Sequence, residues 1–419
     1  MAFPNPQPPH YEFRTPDDWD EFTGVVGLAY GGYDHGPEHS AAVGALLEPK
    51  RSLLACAGGR PCATLAGYSL SMTLPGGPSP VLGIGYVAVS PAHRRRGLMS
   101  ELVRRTLTDL HERQAEPIAV LNSTEPGIYE RFGFGTASQA VSIAVPPEAR
   151  ELTAGGPAAP GLVLEVTSPG DSEEAVASVY QACLSQRPGL LRREGAWLRR
   201  AFVDPPGERG GAGRLLCMLA LDGDGGGARG YALYRLRSGW THSYPRYTVS
   251  VQELFAVDAG AHAFLWRALL DIDLAGTVTA NARPVDDPVL ALLKDPRSAA
   301  PTLRDQLYAR PVDIERALTA RRSYGTETDL VLQVRDPVCP WNEGRWRLGA
   351  GPSGAACTRT TTAADLALSA RELGSVLLGG GSLVQLAHAG RVEELRPGAL
   401  QAASRAFRHD PAPFCPIVF

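Results

Sequence analysis

Residues 87–98 read VAVSPAHRRRGL: an apolar run, Val87-Ala88-Val89, is stopped by Ser90-Pro91, and three arginines and a glycine then lead into Leu98. The preceding segment, LGIGYVAV over 82–89, is short, apolar and ended by a turn signal, which predicts a buried strand. From Leu98 the period changes. Leu98, Met99, Leu102, Val103, Leu107 and Leu110 recur at helical spacing, with Arg104, Arg105 and Asp109 on the other side. A strand therefore ends, turns and enters a helix, whose first-turn N–H groups lack internal partners. The helix dipole adds positive potential there, so the mouth is an anion site that the adjacent arginines reinforce. Gly97 removes a side chain where a phosphate could approach the backbone. A diphosphate is the natural guest.

An arginine triplet on its own reads as a solvated run or part of a nucleic-acid patch. The strand, proline, glycine and amphipathic helix around this one favour the anion mouth. No G-x-G-x-x-G follows a strand and no G-x-x-x-x-G-K-[ST] occurs, which argues against dinucleotide and nucleoside triphosphate sites. The formal net charge of −3 gives no global field to gather nucleic acid or an anionic membrane, so any anion site is local. The seven cysteines are odd in number and contain no C-x-x-C, against a disulfide framework or a zinc site, and no metal is expected. The start, MAFPNPQPPHYEF, lacks a basic segment followed by an apolar core, and no run of about 18 apolar residues occurs. The expectation is a cytoplasmic chain without membrane insertion.

A length of 419 residues suits two or three domains of about 100–200 residues each. Three are expected: 1–150, 151–300 and 301–419. In the first, strands are predicted at 53–57, 63–72, 82–89 and 118–121, with a short helix at 127–132. Antiparallel strands followed by strand–helix–strand make this an α+β (α/β) domain with a mixed sheet. The Pro/Gly/Ala-rich stretch 146–161 reads as a connection. In the second domain LVLEV from Leu162 is a strand, and DGDGGGARG over 222–230 is a hairpin tip between LLCMLAL and GYALYRL. In the third, helices are expected at 312–321, 363–378 and 397–407, with strands at 329–334, 344–348 and 357–362.

The pattern V-x-V-x-P-x-x-R-R-R-G resembles the pyrophosphate-binding motif of the GNAT acetyltransferases, whose general form is Q/R-x-x-G-x-G/A. Arg94, Gly97 and Ser100 stand at about those places, with Ser100 a departure. The resemblance implies that the backbone of Val87, Ala88 and Val89 bonds the pantetheine arm. It also implies that Arg95, Arg96, Gly97, Leu98, Met99 and Ser100 wrap the pyrophosphate of acetyl-CoA. Downstream, LNSTEPGIYERFGF over 121–134 resembles the GNAT segment ending in Y-x-x-x-G-F. It implies Tyr129 as general acid, with Thr124 and Glu125 beside the cofactor. A phenol with a pKa of about 10 can protonate a leaving thiolate. The alternative for Tyr129 is an ordinary core tyrosine.

The chain as a whole resembles the enhanced intracellular survival (Eis) acetyltransferases, which join an active GNAT domain, a degenerate GNAT-like domain and a sterol-carrier-protein-like domain. In the second domain ELFAVDAGAH over 253–262 echoes strand–turn–helix, but the arginines are gone and Asp258 stands where positive charge is wanted. That domain is read as structural. The tail PFCPIVF over 413–419 is apolar where chain ends are usually polar, so burial is expected. The resemblance implies that the carboxylate of Phe419 reaches the active site as general base. An α-carboxylate is ionised at neutral pH, and desolvation raises its basicity.

The implied reaction is acetyl transfer from acetyl-CoA to a primary amine: an aminoglycoside, a polyamine or a lysine side chain. A homo-hexamer is implied as well. Ile417 and Val418 bring no carboxylate for a polycationic acceptor, while Asp17, Asp18, Asp20, Glu21 and Asp34 are acidic residues of unassigned place. The rival readings are a non-catalytic acyl-CoA sensor and an apolar-ligand carrier working through the third domain, since fold does not fix function.

Overall fold

The computed structural model describes residues 10–32 and 36–419; Asp34 lies outside them. The chain opens with β1 (Tyr11–Arg14), α1 (Asp20–Ala29) and α2 (Gly36–Gly44). Next come β2 (Leu53–Ala57), β3 (Arg60–Leu74), β4 (Gly77–Val89), α3 (Leu98–Glu112), β5 (Ile118–Leu121) and β6 (Gly135–Val145). The second stretch contains β7 (Leu162–Thr167), α4 (Glu173–Cys183), α5 (Ala196–Arg199), β8 (Leu216–Asp222) and β9 (Ala228–Arg237). A small hairpin, β10 (Trp240–Thr241) with β11 (Tyr244–Pro245), precedes β12 (Tyr247–Ala256), α6 (Ala259–Leu270), β13 (Ala275–Pro284), α7 (Val289–Leu292) and β14 (Thr302–Pro311).

Twelve of these strands form one sheet in the order β1-β2-β3-β4-β5-β14-β6-β13-β12-β9-β8-β7. The two halves exchange strands at its centre. β6, from the first half, pairs with β13, and β14, from the end of the second, inserts between β5 and β6. The sequence boundary at 300 had given residues 302–311 to the third domain; they lie instead in the middle of the large sheet. Arg304, Asp305 and Arg310 make this segment too polar to read locally as a central strand. Its second half, from Leu307 to Pro311, is nonetheless fully buried.

The helix of the first half follows its pattern closely. Leu98, Leu102, Val103, Leu107 and Leu110 are buried on α3 and pack with Ala63, Leu65, Leu82, Ile84 and Phe134 on one face of the sheet. Met99 is half-buried, and Arg104 and Arg105 lie in solvent, paired with Glu101. The opposite face, with Tyr68, Leu70 and Val81, shares a core with α1 and with the third domain.

The third domain comprises α8 (Ile314–Ala320), β15 (Thr328–Arg335), β16 (Gly344–Gly351), β17 (Gly354–Arg359), β18 (Leu366–Ser369), α9 (Ala370–Val376), α10 (Leu383–His388), β19 (Glu393–Glu394) and α11 (Ala399–Phe407). Its sheet runs β17-β16-β15-β18-β19. The helix expected over 363–378 is in fact a strand followed by a helix. Ser369 ends β18 and begins α9 with a capping box, its side chain and that of Glu372 serving each other's backbone N–H groups. The whole is an α+β molecule of two halves sharing one sheet and a smaller third domain, with all seven cysteines free and buried.

One buried ion pair ties the third domain to β14 at the centre of the large sheet. The Arg310 guanidinium, on β14, is 0% exposed and lies 2.5 Å from the Asp336 carboxylate. It also donates to the carbonyls of Phe132 and Pro311, while Asp336 accepts from the Cys339 N–H and the Asn342 amide. Removing one partner leaves an uncompensated buried charge. Arg310→Leu should therefore lower the unfolding free energy by about 3–5 kcal/mol in urea titration, and a loss under about 1 kcal/mol would contradict this assignment.

Candidate active site

Parallel strands β4 and β5 pair over only three positions, Leu82 with Ala119, Gly83 with Val120 and Ile84 with Leu121. β5 then ends, while β4 runs on to Val89. On its other edge β4 is irregular. Thr64 faces Ala88 and Ala66 faces Gly85, so Tyr86 and Val87 together oppose Leu65 in a bulge. Tyr86 takes a positive φ of 46°, held by a 2.7 Å hydrogen bond from the Thr64 hydroxyl to its carbonyl. The divergence and the bulge open a cavity of about 820 Å³, walled by residues 84–87 of β4 and by Asn122, Ser123, Thr124, Pro126 and Tyr129 after β5.

Where β4 ends, a 3-10 turn (Pro91–His93) leads to Arg94. Arg95 has a positive φ of 59°, uncommon for a residue with a side chain, and Gly97 one of 79°. Gly97 is the N-cap of α3, no side chain caps that end, and a Cβ placed on Gly97 would meet nothing within 4 Å. The N–H groups of Leu98, Met99 and Ser100 have no acceptor within the helix, and exposed Arg95 and Arg96 flank them. These features fit a diphosphate. The loop is braced from behind: Arg96 donates to the Tyr11 hydroxyl at 3.3 Å, and that hydroxyl lies 3.1 Å from His93 Nδ1.

Arg94 is exposed and bonds to the backbone of two neighbouring elements. Its guanidinium donates to the Val89 carbonyl at 3.4 Å and to the Ala29 carbonyl at 2.9 Å, which fastens the loop to β4 and α1. Ala88 and Leu98 are buried by their side chains and offer only backbone groups to a ligand. Thr124 lines the cavity, whereas Glu125 does not; it is exposed, and its carbonyl accepts from the Ser123 hydroxyl at 2.7 Å.

Tyr129 also lines the cavity, packed edge-on against Phe134 with ring centres 6.1 Å apart. Burial pushes its phenol well above the ordinary value, with a smaller contribution from Tyr30, so the hydroxyl stays protonated at neutral pH.

The tail reaches the same cavity. Phe414 donates its N–H to the Pro188 carbonyl at 2.9 Å, and Cys415 donates to Gln306 Oε1 at 3.1 Å. Phe419 then lies along β4. Its ring packs edge-on to Tyr68 and Trp197, at 6.4 and 6.5 Å. The alternation Leu82-Gly83-Ile84-Gly85 makes room for it. A Cβ on Gly83 would meet the Phe419 ring at 3.0 Å, and one on Gly85 the terminal carboxyl carbon at 2.7 Å. The carboxylate thus rests against Gly85, at the point where β4 and β5 part. Arg200, from the second half, donates to the Val418 carbonyl at 3.3 Å.

Sequence reasoning did not single out Arg200, Tyr86, Asn122 or Gln306, although all four line the cavity. The Asn122 amide donates to the Gln306 carbonyl at 3.0 Å, and its buried Oδ1 has no hydrogen-bond partner among the described residues. Its place directly after a strand was a local signal for it. Arg200 carries no such signal, because it arrives from another domain.

The second half repeats this architecture with its cleft filled. β12 pairs in parallel with β13 up to Val251 and Ala280, and β12 is offset against β9 at Gln252. The cavity beyond is only about 270 Å³, and Phe414 and Pro411 of the tail help to close it. At the mouth of α6 the Asp258 side chain accepts from the Ala261 N–H at 2.9 Å and pairs with Arg229. A carboxylate of the chain stands where an anion would bind.

Comparison with known proteins agrees with this geometry. An acetyltransferase (GNAT) domain family matches residues 10–137 and another of the same description matches 189–311, while a sterol carrier protein domain family matches 314–416. An uncharacterized N-acetyltransferase of Streptomyces avermitilis is 41% identical over 405 residues, covering 96% of this chain and 98% of that protein. The N-acetyltransferase Eis of Mycobacterium tuberculosis is 32% identical over 416 residues, covering 94% of this chain and 96% of its own length. The crystal structure of Eis1 from Mycobacterium abscessus superposes with a TM-score of 0.81 at 29% identity, covering 98% of this chain and 100% of that one. The chain therefore belongs to the Eis-like N-acetyltransferases of the GNAT superfamily, and it is an acyltransferase.

Proposed function

We propose that the chain transfers an acetyl group from acetyl-CoA directly to a primary amine inside the cleft between β4 and β5. The observation that carries this reading is that Tyr129 and the Phe419 terminus line one cavity at the strand divergence. Acetyl-CoA supplies a thioester whose acyl carbon an amine can attack. Arg95, Arg96 and the N–H groups of Leu98, Met99 and Ser100 hold its diphosphate, with Gly97 leaving the approach clear. The backbone of Val87, Ala88 and Val89, on the freed edge of β4, bonds the pantetheine arm, and Thr124 flanks it. Arg94 keeps the loop in place.

The Phe419 carboxylate accepts the proton of the attacking amine, through a water. As the nitrogen–carbon bond forms and the carbon–sulfur bond breaks, Tyr129 gives its hydroxyl proton to the sulfur. Both groups suit these parts: one is a carboxylate resting against a glycine, the other a phenol kept protonated by burial. Aminoglycosides, polyamines and lysine side chains are the acceptors that the resemblance implied. A hexameric assembly and a cytoplasmic location belong to the same reading.

Arg95→Ala combined with Arg96→Ala should weaken acetyl-CoA binding in calorimetry by about tenfold or more, since hydrogen bonds to charged groups are lost; unchanged affinity would remove the diphosphate assignment. Tyr129→Phe should lower kcat by about a hundredfold or more while cofactor affinity holds, and near-normal turnover would reduce Tyr129 to a packing residue. The pH profile tests the same group. A raised phenol pKa keeps the acid protonated as pH climbs, so kcat should show no loss assignable to Tyr129 between about pH 7 and pH 10. Residues appended after Phe419 move the carboxylate away from Gly85 and should cut turnover about a hundredfold; full activity would exclude the terminal base.

A further inference from the structure

The charges facing the cavity bear on the class of amine, given acetyl transfer there as proposed above. Among the described residues, the acidic side chain on its walls is Asp305, whose carboxylate already accepts from the Tyr308 hydroxyl at 2.9 Å. Two arginines face it: Arg200, which donates to the Val418 carbonyl at 3.3 Å, and the exposed Arg304. His39, also on the wall, pairs with Glu208 at 2.8 Å. The acidic start of α1 does not line the cavity: Glu21 pairs with Arg14, and Asp18 accepts from the Glu21 N–H. Much of the remaining wall is apolar or aromatic, with Ile84, Val87, Ala282 and Tyr30.

A polycation entering this space would give up water around several ammonium groups. Among the described residues, Asp305 and the terminal carboxylate would be its anionic partners on the wall, and Arg200 and Arg304 would repel it. An acceptor with one ammonium and one anion meets the opposite balance. We infer that the preferred acceptor is a monoamine joined by a short apolar body to an anionic group, a carboxylate or a phosphate, with Arg304 and Arg200 facing the anion. The inference rests on acetyl transfer in this cavity, and it narrows the acceptor away from aminoglycosides and polyamines.

The test uses the full chain, acetyl-CoA and matched pairs of amines, with free thiol as the readout. Phenylalanine against phenethylamine isolates a carboxylate, phosphoethanolamine against ethanolamine isolates a phosphate, and spermidine and kanamycin supply the polycations. The anionic member of at least one pair should exceed its uncharged partner and both polycations in kcat/KM by about tenfold or more. In Arg304→Glu, on an exposed position, that advantage should shrink about tenfold and spermidine should gain. A polycation as the best substrate, or a preference untouched by Arg304→Glu, would overturn the inference and leave acetyl transfer standing. Acetyl-CoA that fails to bind in calorimetry would overturn both.

Discussion

Three hydrogen-bonded positions between β4 and β5, ending at Ile84 and Leu121, set the rest of the molecule. A parallel pair that stops early leaves backbone groups of β4 without a neighbour, and buried backbone groups need partners. The space between the strands is therefore a place for a ligand with amide groups of its own. The bulge at Tyr86 and Val87 re-aims the strand, and the uncapped mouth of α3 lies just beyond its end. The glycines at 83 and 85 clear the same strand for the last residue of the chain.

That arrangement explains why the cleft draws on the whole chain. The tail arrives only after passing the second half, where Phe414 sits between Leu190 and Ala140, and its end is steadied by Trp197 and Arg200. The third domain is anchored to β14 through Arg310 and Asp336, and β14 is itself shared between the halves. The second half keeps the diverging strands but has them filled by the chain itself, with Phe414 of the tail in the cleft and Asp258 at the helix mouth. It also holds a buried pair, Arg193 with Glu253. Burial pushes the Glu253 carboxyl up, but the Arg193 guanidinium at 2.5 Å and the Tyr231 hydroxyl outweigh it and keep it below the ordinary range. One backbone plan thus leaves an open cleft in one half and a filled one in the other.

What the sequence revealed was local. The change of period at Leu98 located α3 to the residue at its start, and the strand at 118–121 was legible because both are governed by neighbours within a few positions. The family resemblance added the joining of Tyr129 to a terminal carboxylate some three hundred residues away, which no periodicity carries. The misses share one cause. β14 was read out of the sheet because pairing is not encoded along the chain and its polar residues find partners in other domains. The bonds from Arg94 to the Val89 and Ala29 carbonyls were not legible either, because those carbonyls reach it only in the fold. The helix over 363–378 hid a strand because the Ser369 capping box, a local signal, lay inside an apolar run.

A crystal structure of the full chain with coenzyme A tests the account most directly. The account predicts diphosphate density within hydrogen-bonding distance of the N–H groups of Leu98, Met99 and Ser100, with Arg95 or Arg96 closing on it and the pantetheine arm running along Val87 to Val89. Coenzyme A bound elsewhere, with the α3 mouth covered by protein, would contradict it.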